Sequence, residues 1–324
     1  MPRYLRVVAR TACILIADAV SAACDEVLRR AGIEVERNEA IAEADLPAAL
    51  APFDAVVVRS RIRVTAEAIA AAPRLRAIAR AGAGTDNIDT AAARARSIAV
   101  LTAPGANARS VAEHVFALLF AVARRVADAR DAMRAGRWDR GKFMGFELGG
   151  RTIGIVGAGR TGREVARIAR GLGMRVMANS PSAMRDPRRR AELDAEGIEL
   201  VDFPDLLAAA DVLTLHVPLN DATRGLIGRE ALARMKPGAI LINTSRGAVL
   251  DDGAVVEALQ RGRLAAAGID VYVLEPPPPD HPYRRLPNVV CTPHLAASTH
   301  EAQERAAREV AERLVAFFAQ PPEA

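Results

Sequence analysis

The chain has 324 residues, more than one hydrophobic core usually serves, so two domains are expected. With 51% hydrophobic and 26% charged residues it is not a disordered chain, and 4% aromatic residues point to small-residue packing. The formal charge of +5 raises nucleic acid or acidic lipid as partners, but the 44 Lys and Arg are spread along the chain beside 39 carboxylates. The surplus suits a site that attracts a small anionic substrate, and no nucleic-acid or membrane partner is expected.

Met1 to Thr11 carries Arg3, Arg6 and Arg10 without an apolar core long enough for a signal peptide. The longest apolar stretch, Val115 to Ala123, falls far short of the ~20 residues that span a bilayer. Cys13, Cys24 and Cys291 are too scattered for a disulfide framework and show no CxxC spacing. No metal site is expected, and the pattern fits a reducing cytoplasm.

Strands then alternate with helices, which predicts an α/β chain with parallel sheets. In the first half the apolar runs are Cys13–Ala17, Phe53–Val58, Arg76–Ala79 and Ile98–Leu101, with Ala-rich helical stretches between them. Continuous rather than alternating apolar runs suit strands buried on both faces. Between the halves, Ser110 to Arg125 is apolar on almost all sides. It is expected to be buried all round, between domains or against a second subunit.

The second half repeats the theme with Thr152–Val156, Met174–Ala178, Asp211–Val217, Ala239–Asn243, Ala267–Val271 and Asn288–Cys291. These predict a mostly parallel sheet of six or seven strands. Thr299 to Phe318 reads as a closing helix, with Ala306, Val310, Leu314 and Phe317 at helical spacing and Pro321-Pro322 as its stop.

The loop Gly157-Ala158-Gly159-Arg160-Thr161-Gly162 follows a strand directly and opens a helix, the context a dinucleotide fingerprint requires. Gly157 permits the tight turn and Gly159 lets the backbone approach a pyrophosphate. Gly162 lets helix and strand pack closely, and the helix N-terminus faces the diphosphate. At the end of the next strand, where an acidic residue would hold the ribose hydroxyls, the chain reads Ala178-Asn179-Ser180-Pro181. Without that carboxylate a 2′-phosphate is not repelled, and Arg185 or the run Arg188-Arg189-Arg190 could pair with it. Equally, Asn179 or Ser180 could hydrogen-bond an ordinary NAD ribose, and the run could be a solvated helix face. Both NAD and NADP stay open.

Three further strands end on Asn243-Thr244-Ser245-Arg246-Gly247, on Asp270 with Glu275 shortly after, and on Thr292-Pro293-His294. An Arg, a Glu and a His at one sheet edge can converge on one point. Hydride transfer to a 2-oxo acid needs a guanidinium for the carboxylate and carbonyl and an imidazole as proton carrier. It also needs a carboxylate to orient the imidazole and favour its charged form. Taken singly, Glu275 could cap a loop and His294 could be a buried neutral residue.

The run Gly154–Gly162, with Asn243–Gly247, Gly268–Pro277, Pro293–Thr299 and Arg80–Asp89, resembles the signatures of the D-isomer-specific 2-hydroxyacid dehydrogenases. The resemblance runs from about Ala12 to the C-terminal helix. Arg59-Ser60, Trp138–Gly145 and His294–Thr299 are similar to segments of the D-3-phosphoglycerate dehydrogenase-like members. The resemblance implies two doubly wound parallel-sheet domains, with a Rossmann dinucleotide-binding domain (105–296) inserted into a flavodoxin-like substrate domain (1–104 and 297–324). Their cleft would hold the active site, and its closure would bring Arg59 and Arg80 to the substrate and exclude water.

The same resemblance implies Arg246, Glu275 and His294 as the catalytic set. Cofactor contacts would come from Gly157, Gly159, Arg160, Thr161, Gly162, Ser180, Val217, Pro218, Thr244, Ser245, Asp270 and Ala297. Candidates for substrate contact are Arg59, Arg80, Gly82, Ala83, Asn107 and Arg140. It further implies an NAD- or NADP-dependent oxidoreductase acting on a small anionic D-2-hydroxy or 2-oxo acid, of the 3-phosphoglycerate, hydroxypyruvate or glyoxylate class, in a homodimer.

Ser180 stands where the NAD-preferring members carry Asp. The chain also ends soon after its last helix, so allosteric control by serine through an appended domain is not expected. The alternative is a dinucleotide-sensing, corepressor-like binding protein of the same fold, against which the intact Arg246, Glu275 and His294 argue. A formate-type enzyme is disfavoured because that branch carries glutamine in place of Glu275.

Overall fold

The structure is a computed structural model that describes residues 11–319. The arginines at 3, 6 and 10 and the proline stop at 321–322 lie outside the described residues. The chain divides into two compact units. One consists of residues up to Asn107 and from Ser298 onward, the other of Ala108–Ala297.

In the first unit the strands are β1 (Cys13–Ile16), β2 (Glu34–Arg37), β3 (Ala55–Val58), β4 (Ala77–Arg80) and β5 (Ala99–Thr102). They form one sheet in the order β2-β1-β3-β4-β5, parallel at every pairing, which is the flavodoxin-like order. Alternate residues feed two cores. Ile14, Ile16 and Val57 pack with Ala307, Val310 and Leu314 of the helix His300–Ala319. Leu15, Val56 and Val58 pack with Leu46, Leu50 and Ile69 on the opposite face. That two-sided burial is why β1 and β3 read as unbroken apolar runs. The closing helix is capped by Thr299 Oγ1, which accepts from Ala302 N at 3.2 Å. Ala306 belongs to the same buried stripe. Phe317, expected there too, packs against the same core while partly buried, meets Phe318 edge-on and lies under the Arg76 guanidinium.

The second unit holds β6 (Thr152–Val156), β7 (Arg175–Asn179), β8 (Glu199–Leu200), β9 (Val212–Leu215), β10 (Ala239–Asn243), β11 (Leu264–Ile269) and β12 (Val289–Cys291). The order is β12-β11-β10-β9-β6-β7-β8, again parallel throughout. This is the dinucleotide-binding arrangement with one added edge strand, and strand order reverses between β6 and β9. Ligands of such sheets bind beyond the strand carboxyl ends at that reversal, where the loop after β6 lies.

The helix expected over Ser110–Arg125 runs from Ala108 to Ala123 and is not buried all round. Val111, Val115, Leu118 and Leu119 are buried, whereas Glu113, Ala117 and Phe120 form an exposed stripe. Phe120 on that stripe is an apolar residue that the single chain leaves uncovered, on the face for which the sequence left burial against a second subunit open. No helix among the described residues is long and apolar enough to cross a membrane.

Candidate active site

The glycine loop carries three separate constraints. Gly157 has φ +99°, in the region that favours glycine, and an added Cβ would stand 2.5 Å from the His216 carbonyl oxygen. A Cβ on Gly162 would overlap the Gly157 carbonyl oxygen and press within 3.1 Å of Ile155 Cγ2, so this glycine serves helix-on-strand packing. A Cβ on Gly159 would meet nothing within 4 Å, so the loop is open on that side. Gly159 is the N-cap of the helix Arg160–Gly171 and no side chain caps it. The N–H groups of Arg160, Thr161 and Gly162 precede the first intrahelical bond, made by Arg163, and are available to an anion. Val217 abuts Gly157, and Pro218 beyond it is exposed.

The loop is tied to the end of β7, where Gly157 N donates to Asn179 O at 2.9 Å. Both Asn179 and Ser180 are buried. The Asn179 amide nitrogen donates to Val201 O at 3.0 Å, inside the sheet. Ser180 makes no side-chain cap bond to the short helix it precedes. Arg185 is exposed and pairs with no carboxylate among the described residues. Arg188 and Arg189 lie on an exposed helical turn beside Glu192 (3.5 Å) and Asp186 (3.7 Å), the solvated-face arrangement.

Beyond β10, Asn243 folds the chain back on itself. Its Oδ1 accepts from Ser245 N (3.0 Å) and Ser245 Oγ (2.8 Å), and its Nδ2 donates to Arg246 O at 2.9 Å. Thr244 Oγ1 is buried and, among the described residues, is the one such side-chain atom without a hydrogen-bond partner. A buried orphan hydroxyl at a strand end is a place for a ligand's polar group. Arg246 is half-buried, and Gly247 lets its turn lie directly on the Tyr272–Val273 backbone, which any Cβ there would strike.

Glu275 follows β11 and His294 follows β12. Glu275 Oε2 lies 2.7 Å from His294 Nδ1, and its Oε1 accepts from Tyr272 N at 3.0 Å. Burial works to raise the Glu275 carboxyl. The His294 and Tyr272 hydrogen bonds and the charges of His294 and Arg246 outweigh it and hold Glu275 below its ordinary value. Glu275 is therefore an acceptor only, so Nδ1 carries the proton of the pair and Nε2 is left for another partner. Arg246, Glu275 and His294 thus stand at three successive strand ends of one sheet, and the Arg246 charge reaches Glu275.

His294 itself has φ +53°, unusual for a residue with a side chain. Fully buried Asp270 anchors this backbone. Its carboxylate accepts from Leu295 N (2.8 Å), Ala296 N (2.9 Å) and Thr292 Oγ1 (2.6 Å), and its carbonyl accepts from His294 N (2.8 Å). Asp270, expected from the resemblance to face a cofactor, uses Oδ1 for Thr292 and Leu295 and Oδ2 for Ala296 N alone, which leaves Oδ2 a second lone pair. Ala297, next along, is half-buried. His114, which sequence reading did not single out, joins this group with Nε2 3.3 Å from Asp270 Oδ1. Its signal in the sequence was a lone histidine in a mostly apolar helix.

The substrate-contact candidates are dispersed. Arg59 and Arg80 stand at the carboxyl ends of β3 and β4 in the first unit, and Arg80 Nε donates to Arg59 O at 3.2 Å. Gly82 lies against the Arg80 guanidinium, Ala83 is exposed, and Asn107 is the last residue before the second unit. Arg140 opens a short exposed turn, Arg140–Phe143, in the second unit, and no hydrogen bond or ion pair among the described residues links it to the His294–Glu275 pair.

Residues 116–296 match the family described as D-isomer specific 2-hydroxyacid dehydrogenase, NAD binding domain. The chain belongs to the D-isomer-specific 2-hydroxyacid dehydrogenase family. It is 45% identical over 302 residues to a D-3-phosphoglycerate dehydrogenase of Archaeoglobus fulgidus, covering 93% of this chain and 56% of that protein. It is also 45% identical over 269 residues to a glyoxylate reductase of Korarchaeum cryptofilum, covering 82% of this chain and 79% of that one. The crystal structure of the TT0316 protein from Thermus thermophilus superposes with a TM-score of 0.83 at 38% identity, over 96% of this chain and 99% of that chain. The chain spans about half the length of the first curated D-3-phosphoglycerate dehydrogenases it matches. Membership of this dehydrogenase family fits the bare N-cap at Gly159, the open face of the glycine loop and the orphan Thr244 hydroxyl, all of which suit a dinucleotide.

Proposed function

We propose that this chain catalyses the NAD(P)-linked interconversion of a small 2-oxo acid and its D-2-hydroxy acid. The observation that carries the reading is the His294–Glu275 pair, set at the same sheet edge as Arg246 and the glycine loop. Bound nicotinamide would supply or accept the hydride. The chain's own groups do the rest. Arg246 holds the substrate carboxylate in a bidentate grip. His294 Nε2 gives a proton to the oxygen that becomes the hydroxyl, or takes it back in oxidation. Glu275 fixes the ring and balances the charge that forms on it.

The first-turn N–H groups after Gly159 hold the diphosphate. Ser180, Val217 and Pro218 serve the adenosine side, and Thr244, Ser245, Asp270 and Ala297 the nicotinamide side. Arg59, Arg80, Gly82, Ala83, Asn107 and Arg140 are the proposed contacts to the far end of the substrate. Phosphohydroxypyruvate, hydroxypyruvate and glyoxylate are the candidate oxo acids. Initial rates on these three with NADH and NADPH test the reading. No turnover of any of them by protein that binds dinucleotide would overturn it.

NADP is accepted in this reading because Ser180 stands at the end of β7 in place of a carboxylate and Arg185, nearby in sequence, pairs with no carboxylate among the described residues. We also propose a homodimer through the segment around 120–144, where Phe120, Val126, Met133, Trp138 and Met144 are all exposed. A monomer mass in light scattering across dilutions would remove that proposal.

A further inference from the structure

His114 sits in the middle of the helix Ala108–Ala123 with only 17% of its side chain exposed. Its Nε2 lies 3.1 Å from Thr292 Oγ1 and 3.3 Å from Asp270 Oδ1, and Thr292 Oγ1 lies 2.6 Å from the same Asp270 oxygen. Asp270 is fully buried. Burial works to raise its carboxyl, and the bonds from His114, Thr292, Leu295 and Ala296 overcome that and keep it ionised. An ionised carboxylate only accepts, so the single hydroxyl proton of Thr292 points at Asp270. Toward His114 the hydroxyl can then only accept, so His114 Nε2 carries a proton and donates. The order of donation is His114 to Thr292 to Asp270. Leu295 and Ala296 donate to the same carboxylate, and His294 N donates to the Asp270 carbonyl. Residues on both sides of His294 are therefore tied to one buried acid. A φ of +53° on a residue with a Cβ persists only where its surroundings over-determine it.

We propose that His114 is a positioning residue for His294. Its Nε2–H completes the hydrogen bonding of the Thr292–Asp270 pair, and that pair fixes the left-handed backbone that keeps His294 Nδ1 on Glu275. The proposal rests on His294 being the proton carrier of the function given above, but it has a readout of its own. Hydrogen–deuterium exchange of the Leu295 and Ala296 amides reports the network without any turnover.

The experiment compares wild type, His114→Leu, His114→Gln and Thr292→Val for exchange of the peptide covering 292–297, for kcat, and for KM of the dinucleotide. The glutamine amide nitrogen can take the place of Nε2. In the Leu and Val variants the amides exchange about tenfold faster or more, and kcat falls about ten- to a hundredfold, as a small misplacement of a reacting group does. KM for the dinucleotide stays within about threefold, marking an effect on the transition state rather than on cofactor binding. The Gln variant recovers both protection and kcat to within about threefold. Should His114→Leu fail to fold, Thr292→Val and His114→Gln carry the test. Unchanged exchange and kcat in the Leu variant would overturn the proposal, as would a folded Gln variant as defective as the Leu one. If wild type shows the protected amides and the variants lose them while no oxo acid is turned over, the network stands and the assigned reaction falls.

Discussion

His294 donates from Nδ1 to Oε2 of Glu275 across 2.7 Å, and the other Glu275 oxygen is already engaged by Tyr272 N. The His294 and Tyr272 hydrogen bonds hold the Glu275 carboxyl below the ordinary glutamate value near 4.5, so it is ionised at neutral pH. Glu275→Gln removes the charge behind the ring and keeps the shape. The expected result is a kcat lower by about 10- to 100-fold and a pH–rate profile for reduction displaced to lower pH, because the protonated ring loses its counter-charge. His294→Ala should cost about 10²- to 10⁴-fold in kcat while dinucleotide affinity changes little. An unmoved profile in Glu275→Gln would assign the charge balance to another group.

The glycine loop predicts opposite phenotypes for two of its members. Gly159→Ala places a methyl in open space and the backbone there is extended, so thermal stability should stay within about 1 kcal/mol of wild type. The same methyl stands where a diphosphate must approach, so dinucleotide affinity should fall about tenfold or more. Gly162→Ala drives a methyl into the Gly157 carbonyl oxygen and should destabilise the fold by about 1–3 kcal/mol. Thermal melts and calorimetric titration separate the two. A Gly159→Ala protein that binds NADH and NADPH normally would remove the loop from the cofactor site.

Asp270 gives the acid dependence of stability a definite sign. Its carboxyl is lower folded than the ordinary value near 3.8. Its contribution is fully present above that unfolded value and is lost as pH falls through the lower folded one, so the affected window lies below about pH 4. Asp270→Asn replaces an acceptor by a donor facing Leu295 N or Ala296 N. It should lower stability at neutral pH by about 1–3 kcal/mol and flatten the acid limb of Tm against pH. Equal acid limbs in the two proteins would place the pH-sensitive group elsewhere.

Both sheets were legible wherever strands are buried on two faces, because continuous apolar runs such as Ala55–Val58 and Ala239–Asn243 are the direct product of that burial. The two strands that escaped notice are edges. Glu34–Arg37 alternates exposed and half-buried positions, and Glu199–Leu200 is two residues long, so neither offers an apolar run. At the site, the glycine spacing and the strand-end Arg, Glu and His were readable because each belongs to a local motif. The His114–Asp270 contact was not. It joins residues far apart in the chain, through a helix whose register on the sheet no local pattern reveals.

The choice between NAD and NADP is expected to rest on the end of β7 and the arginines after it. Ser180 is buried at the end of β7, beside the glycine loop through the Gly157–Asn179 bond, and the Asn179 amide nitrogen donates to Val201 O. Asp202 follows β8, one strand further out, so it does not stand at the end of β7. No carboxylate at that strand end repels a 2′-phosphate, and wild type should bind NADPH at least as tightly as NADH. Ser180→Asp brings a negative charge against the phosphate and an acceptor to the 2′-hydroxyl. The ratio of NADPH to NADH affinity should fall about tenfold or more, through weaker NADPH binding and NADH binding held or improved. Arg185→Ala should weaken NADPH alone, by about three- to tenfold, since a partly exposed charge pair is worth about 1 kcal/mol. Titration of each variant with both dinucleotides checks this directly. Equal losses of NADH and NADPH in Ser180→Asp would mean that the side chain disturbs the loop rather than the ribose pocket, and a wild type that prefers NADH would return Ser180 to an ordinary ribose contact.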